Sequence, residues 1–118
     1  MATFKYVRLY ATPDGESHFE DAGVDMPAPR EISELMALTG WNVRRNTPSY
    51  DLDFHRAPRR QYIVNLSGQV EIEASDGEVR RFGPGTIMLA EDTTGKGHRS
   101  KAVGDGERIS LWLHLPDK

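Results

Sequence analysis

Apolar and polar residues alternate in twos along much of the chain. Between Gln69 and Ala74, Val70, Ile72 and Ala74 are apolar while Gln69, Glu71 and Glu73 are polar, the signature of a strand with one covered face. Asp76-Gly77 follows as a two-residue hairpin signal, and Val79 to Phe82 reads as the return strand. The runs YIVNL (62–66) and TIMLA (86–90) are more continuously apolar, as strands buried on both faces would be. ISLWLHL (109–115) alternates again, with Ile109, Leu111, Leu113 and Leu115 on one face and Ser110, Trp112 and His114 on the other. Glycine and proline punctuate these segments at short intervals, which predicts an antiparallel sandwich or barrel. Only REISELMALTG (30–40) predicts a helix, through Ile32, Leu35 and Met36, with Gly40 as its stop.

Composition narrows the chemistry. A chain of 118 residues, 37% hydrophobic and 28% charged, is expected to form one domain with one core and no disordered block. Its net charge of −3, with signs mixed along the chain, argues against a nucleic-acid partner. There is no cysteine, so any metal would be held by His, Asp, Glu, Gln or water. No apolar run reaches the length of a signal peptide or a membrane span, and a soluble cytoplasmic protein without a membrane partner is expected. GPG and GKG lack the phosphate-loop pattern, and Ser67 lacks a nucleophile elbow.

Two stretches carry a family resemblance. Residues 53–85 begin DFHRAPRRQYIVNLSG, which resembles the first motif of the cupin superfamily: His, any residue, His, three or four residues, Glu, six residues, Gly. Counting back from Gly68, Gln61 stands where the family has Glu, Ala57 where it has the second His, and His55 where it has the first. RFGPGTIMLAEDTTGKGH follows the course of the second motif: Gly85 opens the strand, Thr86 replaces the usual Asp, and His98 takes the His position. The resemblance covers residues 48 to 115 and implies an all-β, antiparallel jelly-roll β-barrel. Residues 1–47 would pack on it as extension strands and a short helix, with 48–118 as the barrel core of a single domain.

The resemblance also implies a site. Family members bind Fe, Mn, Ni, Zn or Cu through three histidines and a carboxylate, so the expected metal ligands here are His55, Gln61 and His98. His114, His18 and Asp53 are candidates to complete the set. Gln61 brings no charge to offset a dication, which makes the set weak. Without metal, His55 and His98 are the candidate catalytic acid/base pair. Arg59, Gln61, Asp92, Tyr50 and Trp112 are the candidate substrate contacts. Arg59 could grip a carboxylate or phosphate, whereas Arg56 and Arg60 fit surface solvation. Tyr50, Phe54 and Trp41 suit an aromatic rim or the end of a core. EDTTGKG (91–97) is longer than the family's usual turn, and Asp92 to Gly97 is expected to form the cavity lip, with Gly95 and Gly97 at positive φ. His98 should then face inward near His55, together with Ser100 and Ala102, with Arg99 and Lys101 outward.

The expected function is binding of a small organic ligand in the barrel. It would be exercised either by a metal-dependent enzyme of dioxygenase, isomerase, lyase or cyclase type, or by a non-enzymatic ligand-binding protein. A homodimer is expected, joined at a sheet edge, with residues 4–11 available for strand exchange.

Overall fold

The computed structural model describes residues 2–117. It contains ten strands: β1 (Ala2–Ala11), β2 (Ser17–Met26), β3 (Gly40–Asn46), β4 (Asp51–His55), β5 (Gln61–Ser67), β6 (Gln69–Ala74), β7 (Val79–Phe82), β8 (Ile87–Glu91), β9 (His98–Val103) and β10 (Arg108–His114). They form two sheets, of order β2-β1-β8-β5-β10-β3 and β4-β9-β6-β7. The alternating segment 69–74 pairs with 79–82 across the Asp76-Gly77 turn, with Val70 opposite Phe82. Val70, Ile72, Ala74 and Phe82 turn inward to meet Leu9, Ile63 and Met88 from the other sheet.

The all-β expectation holds, with three differences in detail. The first is the helix expected at 30–40: residues 27–39 instead run as a turn and an irregular segment, and no helix occurs among the described residues. Glu31 has φ 56°, which a helical turn does not allow. Leu35 is fully exposed and Ile32 62% exposed, so helical spacing found no surface to bury its stripe, and an unpacked helix of that length is marginal. The second difference is that the two sheets face each other without closing into one barrel. The third is that the pairing is not wholly antiparallel. β1 lies parallel to β8, from Val7 opposite Met88 to Tyr10 opposite Glu91.

Residues 1–47 are integral to the larger sheet. They supply β1 and β2 at one edge and β3 at the other, and they bury Leu9, Ser17 and Phe19. The strand containing residues 4–11 is held between β2 and β8 and is not a free edge. The free edges are β2 and β3 in one sheet and β4 and β7 in the other. Among the described residues no helix is long and apolar enough to cross a membrane.

The 91–97 connection is tied down at both ends. Glu91, 8% exposed at its side chain, is gripped by Arg8 Nε at 2.6 Å and Arg60 Nε at 2.7 Å. Lys96 pairs with Glu16 and donates its backbone N–H to Gly15 O, while Ser17 Oγ donates to Gly97 O at 2.7 Å. Gly95 and Gly97 have φ of 77° and 76°, as their sequence context requires. A Cβ on Gly97 would overlap the backbone carbonyl of His55, so this glycine lets the connection cross directly over the end of β4. The expected cavity lip is not formed here, since none of residues 91–97 lines the cavity. Gly97→Ala should therefore cost about 2–4 kcal/mol in urea unfolding, from left-handed strain plus the overlap. Gly77→Ala, at φ 96° with nothing within 4 Å, should cost only about 1 kcal/mol.

Candidate functional site

Between the sheets lies a cavity of about 310 Å³. Arg44, Leu52 and Arg56, exposed among its lining residues, mark a mouth between the edge strands β3 and β4. Its far walls are the inward faces of β5, β6, β8, β9 and β10. The middle is apolar, with Ile63, Val70, Ile72, Phe82 and Met88.

At one end stand the two histidines. His55 of β4 and His98 of β9 are directly opposite in the antiparallel register, so their side chains share a face. Their ring centroids are 4.5 Å apart at an angle of 56°. His98 is 6% exposed, and its Nδ1 lies 2.5 Å from Oδ2 of Asp92, a carboxylate with no exposure at all. His55 Nδ1 lies 2.8 Å from the backbone oxygen of Asp53. Both partners accept hydrogen bonds, so Nδ1–H donates in each ring and Nε2 is left without a protein partner. Ser100 shares the inward face with His98, whereas Arg99 and Lys101 point away, as alternation requires. Gln61 begins β5 opposite Ala90, two residues before Asp92; it is 1% exposed, and its Oε1 has no hydrogen-bond partner.

The other end is cationic. Arg108 of β10 is 6% exposed and donates from Nε to Asn65 Oδ1 at 2.7 Å, while Asn65 Nδ2 donates to Gly68 O. Gly68, at φ 71°, leaves the space through which the backbone of Glu107 and Arg108 passes; a Cβ would lie 2.6 Å from Glu107 O. Burial pushes the Arg108 guanidinium down to about 10, which still leaves it protonated at neutral pH. Tyr50 places its hydroxyl 3.0 Å from Ser100 Oγ. Trp112 donates to Ser110 Oγ at 2.8 Å, with the Arg44 guanidinium 3.7 Å over its ring.

The cavity thus gathers His55, His98, Gln61, Tyr50 and Trp112, but two expected substrate contacts lie elsewhere. Asp92 sits behind His98 rather than on the wall: its Oδ2 holds the imidazole, and its Oδ1 is buried without a hydrogen-bond partner among the described residues. Arg59 stays outside; it precedes β5 and meets His114 Nε2 at 3.4 Å, while Arg56 lines the mouth. The proposed additional ligands are also elsewhere. His114 lies beyond the cavity on β10, partial burial and Arg59 holding its imidazole below the usual value. His18 lies 2.9 Å from Asp76 and 3.1 Å from Thr12, and the Asp53 carboxylate accepts from Phe54 N. Arg44, Asn65 and Arg108 line the cavity and were not anticipated as site residues. For Arg108 a signal existed: one further step back along the Ser110–Trp112 face of β10 reaches it.

This donor set does not fit a divalent metal. Two imidazoles and an amide oxygen supply no negative charge, and three guanidiniums line the same cavity. Among the described residues no three His, Cys, Asp or Glu side chains are grouped to hold an ion.

No family model and no curated protein matches the sequence. Solved structures do. Protein NMB1881 from Neisseria meningitidis superposes with a TM-score of 0.51 at 13% identity, over 70% of this chain and 81% of its own. The conserved SPY1581 protein of unknown function from Streptococcus pyogenes gives 0.51 at 23% identity, over 74% and 72%. At these identities the likeness is one of fold.

Because Asp92 has only His98 for its buried Oδ2, His98→Ala should cost about 2–3 kcal/mol in stability, more than a solvent-lined cavity residue would. Adding Asp92→Ala should cost little further, and the non-additivity of the cycle, read by thermal unfolding, measures the pair.

Proposed function

We propose that this protein binds a small organic molecule in the cavity between its sheets and that His55 and His98 act on it as a proton-transferring pair. The observation that carries the reading is the treatment of the two rings: both line the cavity, each is fixed through Nδ1 by an oxygen, and neither Nε2 has a hydrogen-bond partner among the described residues. Two imidazoles in contact can hold different protonation states and so serve as base and acid for one ligand near neutral pH. The volume of about 310 Å³, the apolar middle and the few polar groups at the ends suit a small ligand. Gln61 Oε1, buried without a donor, supplies an acceptor for a ligand N–H or O–H.

We read the fold as a cupin-type jelly roll opened at the β3–β4 side. The convergence of His55, Gln61 and His98 on one cavity, as the motif resemblance implies, supports that reading. A proton-transfer enzyme of isomerase or lyase type follows more directly from the site than a metal-dependent oxygenase. A purely ligand-binding protein would need the same cavity without the His55 role.

Fragment screening by NMR tests the proposal. Amide shifts on binding should concentrate at Gln61, Ile72, His98, Ser100 and Trp112, and His55→Ala should lower affinity while leaving the melting temperature within a few degrees. Shifts confined to the outer surface would defeat it. Metal analysis of untagged protein should find well under one transition-metal ion per chain. A stoichiometric ion that Gln61→Leu removes would replace the metal-free reading with the metal-dependent one.

We also propose a homodimer through the outer face of the larger sheet. There Phe4, Leu35, Met36 and Leu38 are exposed beside Tyr62 and Leu113, next to Trp41 and Val43 on the free edge β3. A second copy across a two-fold axis would cover this patch with the same patch. Sedimentation at high micromolar concentration should show a dimer that Leu35→Asp converts to monomer.

A further inference from the structure

The two histidines do not account for the opposite end of the cavity. Arg108 is buried there, and its one hydrogen bond is to a neutral amide, Asn65. Among the described residues no carboxylate lies within ion-pair distance of it. Glu107, its neighbour in sequence, turns outward to Arg45 at 2.5 Å. No Asp or Glu lines the cavity at all, although Arg44, Arg56, Arg108, His55 and His98 do. Composition does not explain this, since the chain holds 18 acidic residues against 15 Lys and Arg. The acids lie elsewhere: Glu91 between Arg8 and Arg60, Glu78 and Asp21 on Arg80. A guanidinium kept charged in a buried wall without a counter-ion opposes folding unless something else supplies the negative charge.

We infer that the ligand is a small organic acid whose carboxylate is received by Arg108. The inference rests on the small-molecule reading of the cavity and names its substrate class. A planar guanidinium presents parallel N–H donors that match a carboxylate, and only Nε is already used by the protein. Tyr50 and Ser100 add hydroxyls to the cavity lining from the side of the smaller sheet. Asn65, which holds Arg108, and Gln61 face inward four residues apart on β5, so the two polar ends are separated by about 13 Å along the strand. Ile63, Val70, Ile72 and Met88 line the space between them. The occupant therefore carries its carboxylate at the Arg108 end and an apolar body along the middle. Its reacting group lies at His55 and His98.

Calorimetric titration of the full untagged chain with 3-phenylpropanoate, 3-phenylpropanamide and 3-phenylpropylamine tests this. The acid should bind about 10- to 150-fold more tightly than its amide, and the amine more weakly still. Arg108→Gln, whose amide can still donate to Asn65, should reduce binding of the acid to the level of the amide. Arg108→Lys, retaining the charge without the fork and guarding against misfolding of the Gln variant, should fall between. Glu107→Gln should change nothing. If amide and acid bind equally, or both Arg108 variants bind the acid as the parent does, the organic-acid assignment is wrong while the cavity reading stands. If inorganic phosphate binds more tightly than the acid with the same dependence on Arg108, the anion is not a carboxylate. If none of the three probes binds at millimolar concentration, the cavity reading and this inference fall together.

Discussion

A carboxylate with no access to water fixes the geometry at the histidine end of the cavity. Asp92 follows β8 directly, and its backbone oxygen accepts from Ala57 N at 3.1 Å while its side chain holds His98. One residue thus joins the exit of the larger sheet, the segment after β4 and the start of β9 in the smaller sheet. The cost of burying that charge makes the arrangement specific: a shift in any of the three would strand it. The polar stretch from 93 to 96 can then be exposed, because the anchoring is done below it by Asp92 and beside it by Glu91.

The interior is divided by chemistry rather than filled uniformly. Inward positions on β6 and β8 are apolar and form an ordinary core with Leu9 and Phe82. Inward positions on β5 and β10 include Gln61, Asn65, Arg108 and Ser110, all buried. On β10 the usual logic of alternation is reversed. Leu111 and Leu113 face the outer side, and Arg108, Ser110 and Trp112 face inward, Arg108 and Trp112 lining the cavity and Ser110 buried beside them. A sheet whose polar side turns inward must satisfy that side with internal partners or with a ligand. Asn65–Arg108 and Ser110–Trp112 are the internal part of that satisfaction.

What the sequence disclosed follows from the range of the forces involved. The hairpin at 69–82 was legible because period-two patterning and Asp-Gly turn chemistry are local. The meeting of His55 and His98 was legible through motif spacing joined to alternation at Ser100. The 30–40 segment misled, since spacing of Ile32, Leu35 and Met36 states which face a helix would bury but not whether a surface exists to receive it. Arg59 misled for a related reason: a charge beside a motif is placed by the strand start, two residues later, and not by its neighbours. The role of Asp92 could not be read, because a carboxylate in a run of Glu, Asp, Thr and Gly looks like loop solvation until burial is known. Arg108 was not singled out because alternation on its strand separates two faces without saying which of them lines the cavity, and Arg108 lies one step before the ISLWLHL run on the Ser110–Trp112 face.

On the cupin resemblance, the departures from the motif have a common physical direction. Gln61 replaces a carboxylate and Ala57 replaces an imidazole, and Thr86 stands for another acid. Each change removes negative charge or metal-donor capacity from a cavity into which Arg44, Arg56 and Arg108 bring positive charge. A dication and three guanidiniums would repel one another in a low-dielectric site, whereas a ligand carboxylate is attracted to the same field. On the proposed reading, the departures from the motif that weaken the chain as a metal site are also those that suit its cavity to an organic anion. On that same reading, Ala57, 4% exposed where the motif has a histidine, leaves space for the ligand.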